Sequence, residues 1–277
     1  MECPCHLRIR WGCNVFVRLR EELMEFIDSH CHLDAMEFDA DRDAVAARAQ
    51  AAGVTQLIVP AVDAAGFDTV RAVCQRYPQC RAAYGLHPLY ADRHRMQDVT
   101  RLDQWLRAEP AVAVGEIGLD GSDPGADRER QREFFDAQLA LAAELDLPVL
   151  LHVRQAVDAV IASLRRYGLR RGIAHAFNGS LQQAQQLMRM GFLLGFGGAM
   201  TWPGATRLRR LATELPLECI ALETDAPDIS PQWARGMRNQ PEYLPRIAAE
   251  LAGLRGVDIV EVAQATTTNV RKVLFRG

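Results

Sequence analysis

Short apolar runs alternate with longer amphipathic segments along most of this chain, and this alternation is the feature that most limits its fold. The apolar runs are 26–30, 54–60, 82–88, 111–118, 147–153, 172–177, 192–198 and 219–225. Helical periodicity marks 40–52, 65–77, 98–108, 127–145, 155–168, 180–190, 204–214, 241–253 and 258–274. Such alternation predicts right-handed βαβ units and a parallel sheet. Eight units fit an α/β fold, a (β/α)₈ TIM-like barrel. An open doubly wound sheet is the alternative, but no G-x-G-x-x-G follows the first run.

The chain of 277 residues suits one barrel domain, which we expect to span 24–277. Residues 1–23 fall outside the alternating pattern, and we interpret them as a dispensable, poorly ordered N-terminal extension. The seven cysteines are odd in number and irregularly spaced, which argues against a disulfide framework and favours the cytoplasm. No run of 18 or more apolar residues is present, so no membrane span is expected. A net charge of −3 excludes a global basic field for nucleic acid but leaves room for a local positive patch.

Polar residues collect at the ends of the predicted strands. The first run ends in "EFIDSHCHLD", where the two-residue period of an extended chain puts His30 and His32 on one side and Cys31 on the other. The further strand-end residues are His87, Glu116, His152, His175, Glu223 and Asp225. Each one alone has an ordinary structural explanation. Together they indicate a site, because a barrel gathers the carboxyl ends of its strands around one mouth.

Imidazoles and carboxylates in this number suit two divalent metal ions, with Zn, Mn or Mg as the candidates. Two ions about 3.5–4 Å apart can bridge a hydroxide and stabilise both oxygens of a displacement. A pair of ions needs a bridging ligand, and some barrel hydrolases use a carboxylated lysine for it. The only lysine here is Lys272, in the last predicted helix, so we expect Glu116 to bridge.

The ordered stretches "DSHCHLD", "GLHP", "GEIGLD", "LHVR", "HAFNGS", "ETDAP" and "RNQP" resemble the signature stretches of the TatD-related metal-dependent hydrolases. The resemblance runs from about residue 25 to the end of the chain. It implies a TIM-like barrel, a divalent-metal centre and hydrolase activity, usually that of a deoxyribonuclease. The chain departs from the family after "GLD", where it continues "GSDPGAD", and after "HVR", where Gln155 follows. Both departures concern substrate preference rather than the metal ligands.

The resemblance also implies roles for individual residues. One metal would be held by His30, His32, Glu116 and Asp225, and the other by Glu116, His152 and His175. Asp225 and Glu116 would be catalytic, with Asp225 taking a proton from the attacking water. The substrate would be bound by His87, Arg154, Arg238 and Asn239. A structural ion pair is the alternative for Arg154, and an ordinary solvated loop is the alternative for Trp233, Arg235 and Arg238.

The function expected from these observations is divalent-metal-dependent hydrolysis. The leading hypothesis is a deoxyribonuclease that cleaves phosphodiester bonds of single-stranded DNA in the 3′–5′ direction through a metal-bound hydroxide. A metal-dependent ester or amide hydrolase, such as an aminoacyl-tRNA deacylase, is the alternative, because metal centres attack carbonyl and phosphoryl groups alike. A metal-binding protein without turnover is the third hypothesis. We expect a monomer that binds DNA or another phosphodiester, with no membrane partner.

Overall fold

A computed structural model describes residues 24–275, so the predicted extension 1–23 lies outside the described residues. The strands are β1 (Phe26–Asp28), β2 (Val54–Pro60), β3 (Cys80–Tyr84), β4 (Ala113–Asp120), β5 (Val149–Arg154), β6 (Gly172–Ala174), β7 (Phe192–Phe196) and β8 (Ile220–Leu222). The α-helices of this range are α1 (Arg42–Ala51), α2 (Phe67–Arg76), α3 (Met96–Ala108), α4 (Arg128–Glu144), α5 (Val157–Arg166), α6 (Leu181–Arg189), α7 (Thr206–Glu214), α8 (Leu244–Arg255) and α9 (Ile259–Leu274). The strands are parallel and ordered β1 to β8, which confirms the predicted barrel.

Backbone hydrogen bonds join the last strand to the first. The amide of Ser29 donates to the carbonyl of Leu222 at 3.0 Å, and the amide of Asp225 donates to the carbonyl of His30 at 2.8 Å. The sheet therefore curls until its two edges meet, and an edge that would otherwise be left unpaired is satisfied.

One buried apolar residue from each strand contributes to a single cluster inside the barrel. Its members are Ile27, Ile58, Ala83, Ala113, Leu150, Ile173, Leu193 and Ala221. Val270, Val273 and Leu274 of α9 belong to the same cluster and close this end of the barrel. A second, larger cluster lies between the outer face of the sheet and the helices. The alternation of side chains along each strand explains why the two clusters stay separate.

Several strands end earlier than the apolar runs predicted. β3 ends at Tyr84, β6 at Ala174 and β8 at Leu222, and each strand ends a few residues before its apolar run ends. In two of these cases a non-glycine residue then adopts a left-handed conformation: Ala176, with φ of 43°, and Asp225, with φ of 58°. The chain turns there because the polar residues that follow leave the ladder for the mouth of the barrel.

The described residues also bear on two predictions about the environment of the chain. Among residues 24–275, no helix is both long and apolar enough to cross a membrane. The cysteines of this range, Cys31, Cys74, Cys80 and Cys219, are all free thiols.

Candidate metal centre

The period of the strands places polar side chains directly above the interior cluster. Two residues beyond Leu150, Ile173 and Ala221 come His152, His175 and Glu223, which therefore point into the barrel as well. The matching position on β7 is a glycine. A Cβ atom on Gly195 would lie 2.2 Å from Oε2 of Glu223, so the absence of a side chain there makes room for that carboxylate.

Glu116 reaches the same interior by a different route. The register of β4 against β5 is irregular between Val114 and Ile117, and this irregularity turns Glu116 inward although the strict alternation would point it at the helices. Its side chain is almost fully buried. Oε2 lies 3.1 Å from Nε2 of His30, while Oε1 lies 3.1 Å from Nδ1 of His152. The two carboxylate oxygens thus face two different groups of imidazoles.

The histidines of "HCH" point the same way, as the sequence predicted. Their Nε2 atoms are 3.2 Å apart, and Cys31 between them is buried on the other side. Oδ1 of Asp225 lies 3.7 Å from Nε2 of His30 and 3.8 Å from Nε2 of His32. The ring of His175 stacks on that of His30 with centroids 3.9 Å apart. The six residues that the family resemblance assigns to metal binding are therefore brought together.

Among residues 24–275, three groups of donor atoms are close enough to hold an ion. Within each group the ligand atoms lie within 4.8 Å of one another. The groups are His30, His32 and Glu116; His30, His175 and Asp225; and His87, Glu116 and His152. Glu116 and His30 each belong to two groups, which indicates that neighbouring ions would share ligands.

The second ring nitrogen of two histidines has a hydrogen-bond partner that orients the ring, and that of a third, His175, has an ion-pair contact. Nδ1 of His32 lies 3.2 Å from the carbonyl of Pro60, and Nε2 of His152 lies 2.8 Å from Oδ2 of Asp120. Nδ1 of His175 lies 3.4 Å from Oε1 of Glu223. These partners favour the tautomer in which the other nitrogen offers its lone pair to the centre.

His87 differs from the other histidines. Its Nδ1 accepts a hydrogen bond from the amide of Leu89 at 3.1 Å, so the proton of the neutral ring sits on Nε2. That nitrogen lies 3.2 Å from Oε1 of Glu116 and 3.1 Å from Nδ1 of His152. Burial lowers the pKa of His87 and keeps the ring neutral. This geometry makes His87 a hydrogen-bond donor to the centre rather than a lone-pair ligand.

The pKa values of the carboxylates and histidines in this cluster fit a site for positive charge. Burial by itself would raise the pKa of Glu116, but the surrounding imidazoles of His87, His30 and His175 hold it well below its usual range. Burial works against protonation of His175, yet Asp225, Glu223 and Glu116 raise its pKa to about 10. The carboxylates favour positive charge among them, and divalent ions bound by these oxygen and nitrogen donors would supply it.

The centre opens into a cavity of about 1220 Å³ at the carboxyl ends of the strands. Arg154 lines this cavity, is exposed, and has no carboxylate partner among residues 24–275. The alternative of a structural ion pair therefore finds no support there. Arg207 also lines the cavity, although its position in an arginine-rich outer helix gave no sign of this in the sequence.

Two residues assigned to the substrate lie elsewhere. Arg238 donates to both carboxylate oxygens of Asp41 at 2.8 Å and stacks over Phe38. Asn239 is fully buried, and its amide donates to the carbonyls of Thr224 and Asp228. Neither side chain lines the cavity. Both hold the loop that follows β8, so their predicted contact with substrate has no support in the geometry.

Known proteins resemble this chain over nearly its whole length. A family model described as TatD related DNase matches residues 27–275. The uncharacterized metal-dependent hydrolase YjjV of Escherichia coli K12 is 43% identical over 252 residues, covering 89% of this chain and 96% of that protein. The crystal structure of YjjV superposes with a TM-score of 0.88 and covers 91% of this chain and 98% of its own.

A relative with an assigned activity is similar at lower identity. The protein named 3′-5′ ssDNA/RNA exonuclease TatD of Erwinia tasmaniensis is 34% identical over 257 residues, covering 89% of this chain and 98% of that protein. Among solved structures, a TatD family hydrolase from Entamoeba histolytica has a TM-score of 0.79 at 20% identity, which is a likeness of fold.

Proposed function

The chain belongs to the family of TatD-related DNases, which are metal-dependent hydrolases, and from this premise we propose that it hydrolyses phosphodiester bonds of single-stranded DNA from the 3′ end. The observation that carries the proposal is Arg154. Its guanidinium stands at the end of β5, two residues after His152, with no carboxylate to neutralise it among the described residues. An unpaired guanidinium beside such a centre is suited to binding phosphate through two parallel hydrogen bonds.

The ligand assignment remains that of the family resemblance. One ion would be held by His30, His32, Glu116 and Asp225, and a second by Glu116, His152 and His175. The two oxygens of Glu116 face these two groups separately, which supports a bridging role. When bound, divalent ions supply Lewis-acid polarisation of a phosphoryl group and lower the pKa of water.

Three side chains of the protein would take part in the reaction besides the metal ligands' binding role. The carboxylate of Asp225 would accept a proton from the attacking water, the role that the family resemblance implies. His87 lines the cavity beside Glu116 and would contact the bound phosphate. Arg154 orients the diester and stabilises the charge that develops on it.

The test compares substrates on metal-loaded protein. We expect mononucleotide release from linear single-stranded DNA, much slower release from duplex DNA, and none from circular single-stranded DNA. RNA, a neutral carboxyl ester and an aminoacyl-tRNA are tested as alternative substrates in the same assay. Asp225→Asn is the inactive control. Turnover of the carboxyl ester or aminoacyl-tRNA alone would replace the nuclease proposal with that of an ester hydrolase.

The bridge is tested separately by elemental analysis. Glu116→Gln keeps the size of the side chain but removes the charge that two ions would share. We expect the bound metal to fall by at least one ion per chain and hydrolysis to be abolished, with the circular dichroism spectrum unchanged. An unaltered metal content in this variant would contradict the bridging assignment.

A further inference from the structure

The mouth of the barrel has two chemically different walls. The cavity is lined by Arg154 at the end of β5, Asn178 in the loop after β6 and Arg207 in the first turn of α7, and we call these three residues the basic wall. The loops after β8 and β1 contribute Asp228, Asp34 and Glu37, which we call the acidic wall. Apart from Asp158 on α5, every lining carboxylate outside the metal centre belongs to the acidic wall. The charge of the mouth is therefore polarised across its width.

Arg207 is held in place without being neutralised. Its Nε and Nη2 atoms donate to Oδ1 of Asn178 at 3.2 and 2.9 Å. Asn178 lies three residues after His175, so this contact fixes the guanidinium relative to the metal centre. A neutral amide orients a guanidinium but leaves its charge and its remaining N–H donors free for an anion.

The neighbouring arginines of α7 serve as an internal comparison. Arg209 donates to Oε1 of Glu250 at 2.8 Å, and Arg210 lies 3.7 Å from Oε1 of Glu214. Of the three, Arg207 alone lacks a carboxylate partner among residues 24–275, and it is the one that lines the cavity. Compensated arginines therefore face outward on this helix, while the uncompensated one faces the mouth.

We propose that Arg207, oriented by Asn178, binds a second phosphate of the nucleic acid, next to the scissile phosphate that Arg154 orients. This inference rests on the proposed function, because it requires a substrate with consecutive phosphates. The sugar-phosphate backbone then runs along the basic wall, since the acidic wall repels it. The bases face the rest of the cavity lining, where Leu89 and Ile229 are exposed to 56% and 39%.

Ile229, in the apolar part of this lining, has an unusual backbone conformation that hydrogen bonds support. Ile229 has φ of 46°, a left-handed conformation that a β-branched residue rarely adopts. Its carbonyl accepts from the buried amide of Asn239, and the neighbouring carbonyl of Ser230 accepts from Nε1 of Trp202. A strained, exposed isoleucine held at a mouth by its surroundings is a feature of ligand-contacting positions.

The experiment compares two substrates that differ in the number of phosphates. One is a single-stranded pentanucleotide with several phosphates, and the other is bis(p-nitrophenyl) phosphate, which has one. For each metal-loaded enzyme the measured quantity is the ratio of kcat/KM for the pentanucleotide to that for the small diester. In Arg207→Ala we expect this ratio to fall roughly tenfold, mainly through KM, as the loss of one charge-assisted contact predicts. In the matched control Arg210→Ala the ratio should stay at its wild-type value.

Salt dependence and a second variant provide independent readouts. The slope of log binding constant against log salt for the pentanucleotide should lose about 0.7 in Arg207→Ala, the contribution of one phosphate of a single strand. Asn178→Asp leaves Arg207 in place but pairs it with a carboxylate, so the ratio should fall in the same direction. This variant keeps the proposal testable if Arg207→Ala folds poorly.

The outcomes separate this inference from the proposed function. If wild-type enzyme cleaves both substrates and neither variant changes the ratio, the second phosphate site is wrong while the nuclease proposal stands. Equal losses on both substrates would assign Arg207 a structural role and overturn the inference as well. If the wild-type enzyme cleaves neither phosphodiester, the proposed function fails and the second site fails with it.

Discussion

Asp120 determines which nitrogen of His152 faces the metal centre. Its Oδ2 lies 2.8 Å from Nε2 of His152, and its Oδ1 accepts from the amide and hydroxyl of Ser122. Burial opposes protonation of His152, but Asp120 and Glu116 raise its pKa above the ordinary value. The carboxylate thus increases the basicity of the ring while presenting Nδ1 to the ions.

Removing this carboxylate should weaken metal binding. We expect Asp120→Ala to lower the affinity for the second ion by about 10- to 100-fold, the usual effect of losing such a partner. Asp120→Asn, whose amide oxygen can still accept from Nε2, should lose less. Ser122→Ala leaves the contact with His152 intact and is the matched control in a metal titration. A full loss in Ser122→Ala would show that the loop, and not the carboxylate, controls the site.

The protonation of His175 predicts how the metal-free protein responds to pH. Its pKa rises from 6.5 when unfolded to about 10 when folded, so the proton stabilises the fold fully below pH 6.5. That stability is lost as the pH rises toward 10. Burial raises the pKa of Asp28 to about 8, and this shift acts in the same direction. We therefore expect the melting temperature of chelator-treated protein to fall between pH 6.5 and 10.

Two comparisons test whether the protonation of His175 causes this pH dependence. In His175→Gln the melting temperature should depend less on pH in the upper part of this range, because the group with a pKa of about 10 is gone. Metal-loaded wild-type protein should show a much weaker pH dependence, since bound ions replace the proton. A melting temperature that rises with pH in the metal-free protein would contradict the assignment.

Individual side chains show how far the sequence could predict the site. The ligand residues follow strands, and the topology of a barrel alone brings strand ends together, so their convergence was predictable. The roles of Asp120 and Glu223 were not assigned, because a partner that orients a ring is recognised only from distances. The contacts of Arg238 and Asn239 could not be predicted for the same reason: the partner of Arg238 is Asp41, 197 residues away in the chain.

At the level of elements, β4 has a feature that the sequence pattern does not predict. The apolar run predicted the strand, and the irregular register against β5 between Val114 and Ile117 then turns Glu116 inward. Strict alternation in the sequence carries no sign of this irregularity, because it depends on how two neighbouring strands fit together. The strand ends were predicted less well than the strands, since apolar residues continue into the loops.

The strand β8 is held at both ends by a buried or half-buried asparagine amide. Asn239 donates to the carbonyls of Thr224 and Asp228 at the mouth. At the opposite end Asn269 of α9 donates to the carbonyls of Leu217 and Ile220. The two residues make similar contacts, but only one of them is near Asp225.

This symmetry gives a matched pair of variants. Asn239→Ala and Asn269→Ala should each lower the free energy of unfolding by about 1–3 kcal/mol, because buried carbonyls lose their donors. Asn239→Ala should also reduce hydrolysis strongly by releasing the turn that contains Asp225, whereas Asn269→Ala should retain activity at temperatures where it is folded. Denaturant titration and initial rates measure the two effects. Equal activity in both variants would contradict a positioning role for Asn239.

At the scale of the molecule, the family match begins at residue 27, close to Met24. We predict that a chain starting at Met24 keeps its metal content, its activity and its melting temperature. Glu25 is retained in that chain, and its carbonyl accepts from Thr267 while its carboxylate pairs with Arg271 of α9. Differential scanning calorimetry of both forms is the measurement. A melting temperature several degrees lower in the shorter chain would show that residues 1–23 stabilise the barrel.

The joining of the first strand to the last also determines when the enzyme can become active during its synthesis. His30 and His32 leave the ribosome early, but Asp225, whose amide bonds the carbonyl of His30, emerges only after some two hundred further residues. The helix that closes the barrel, α9, is later still. A nascent or prematurely terminated chain therefore carries ligands without a complete centre. Metal binding by the complete set of proposed ligands would then require the finished barrel.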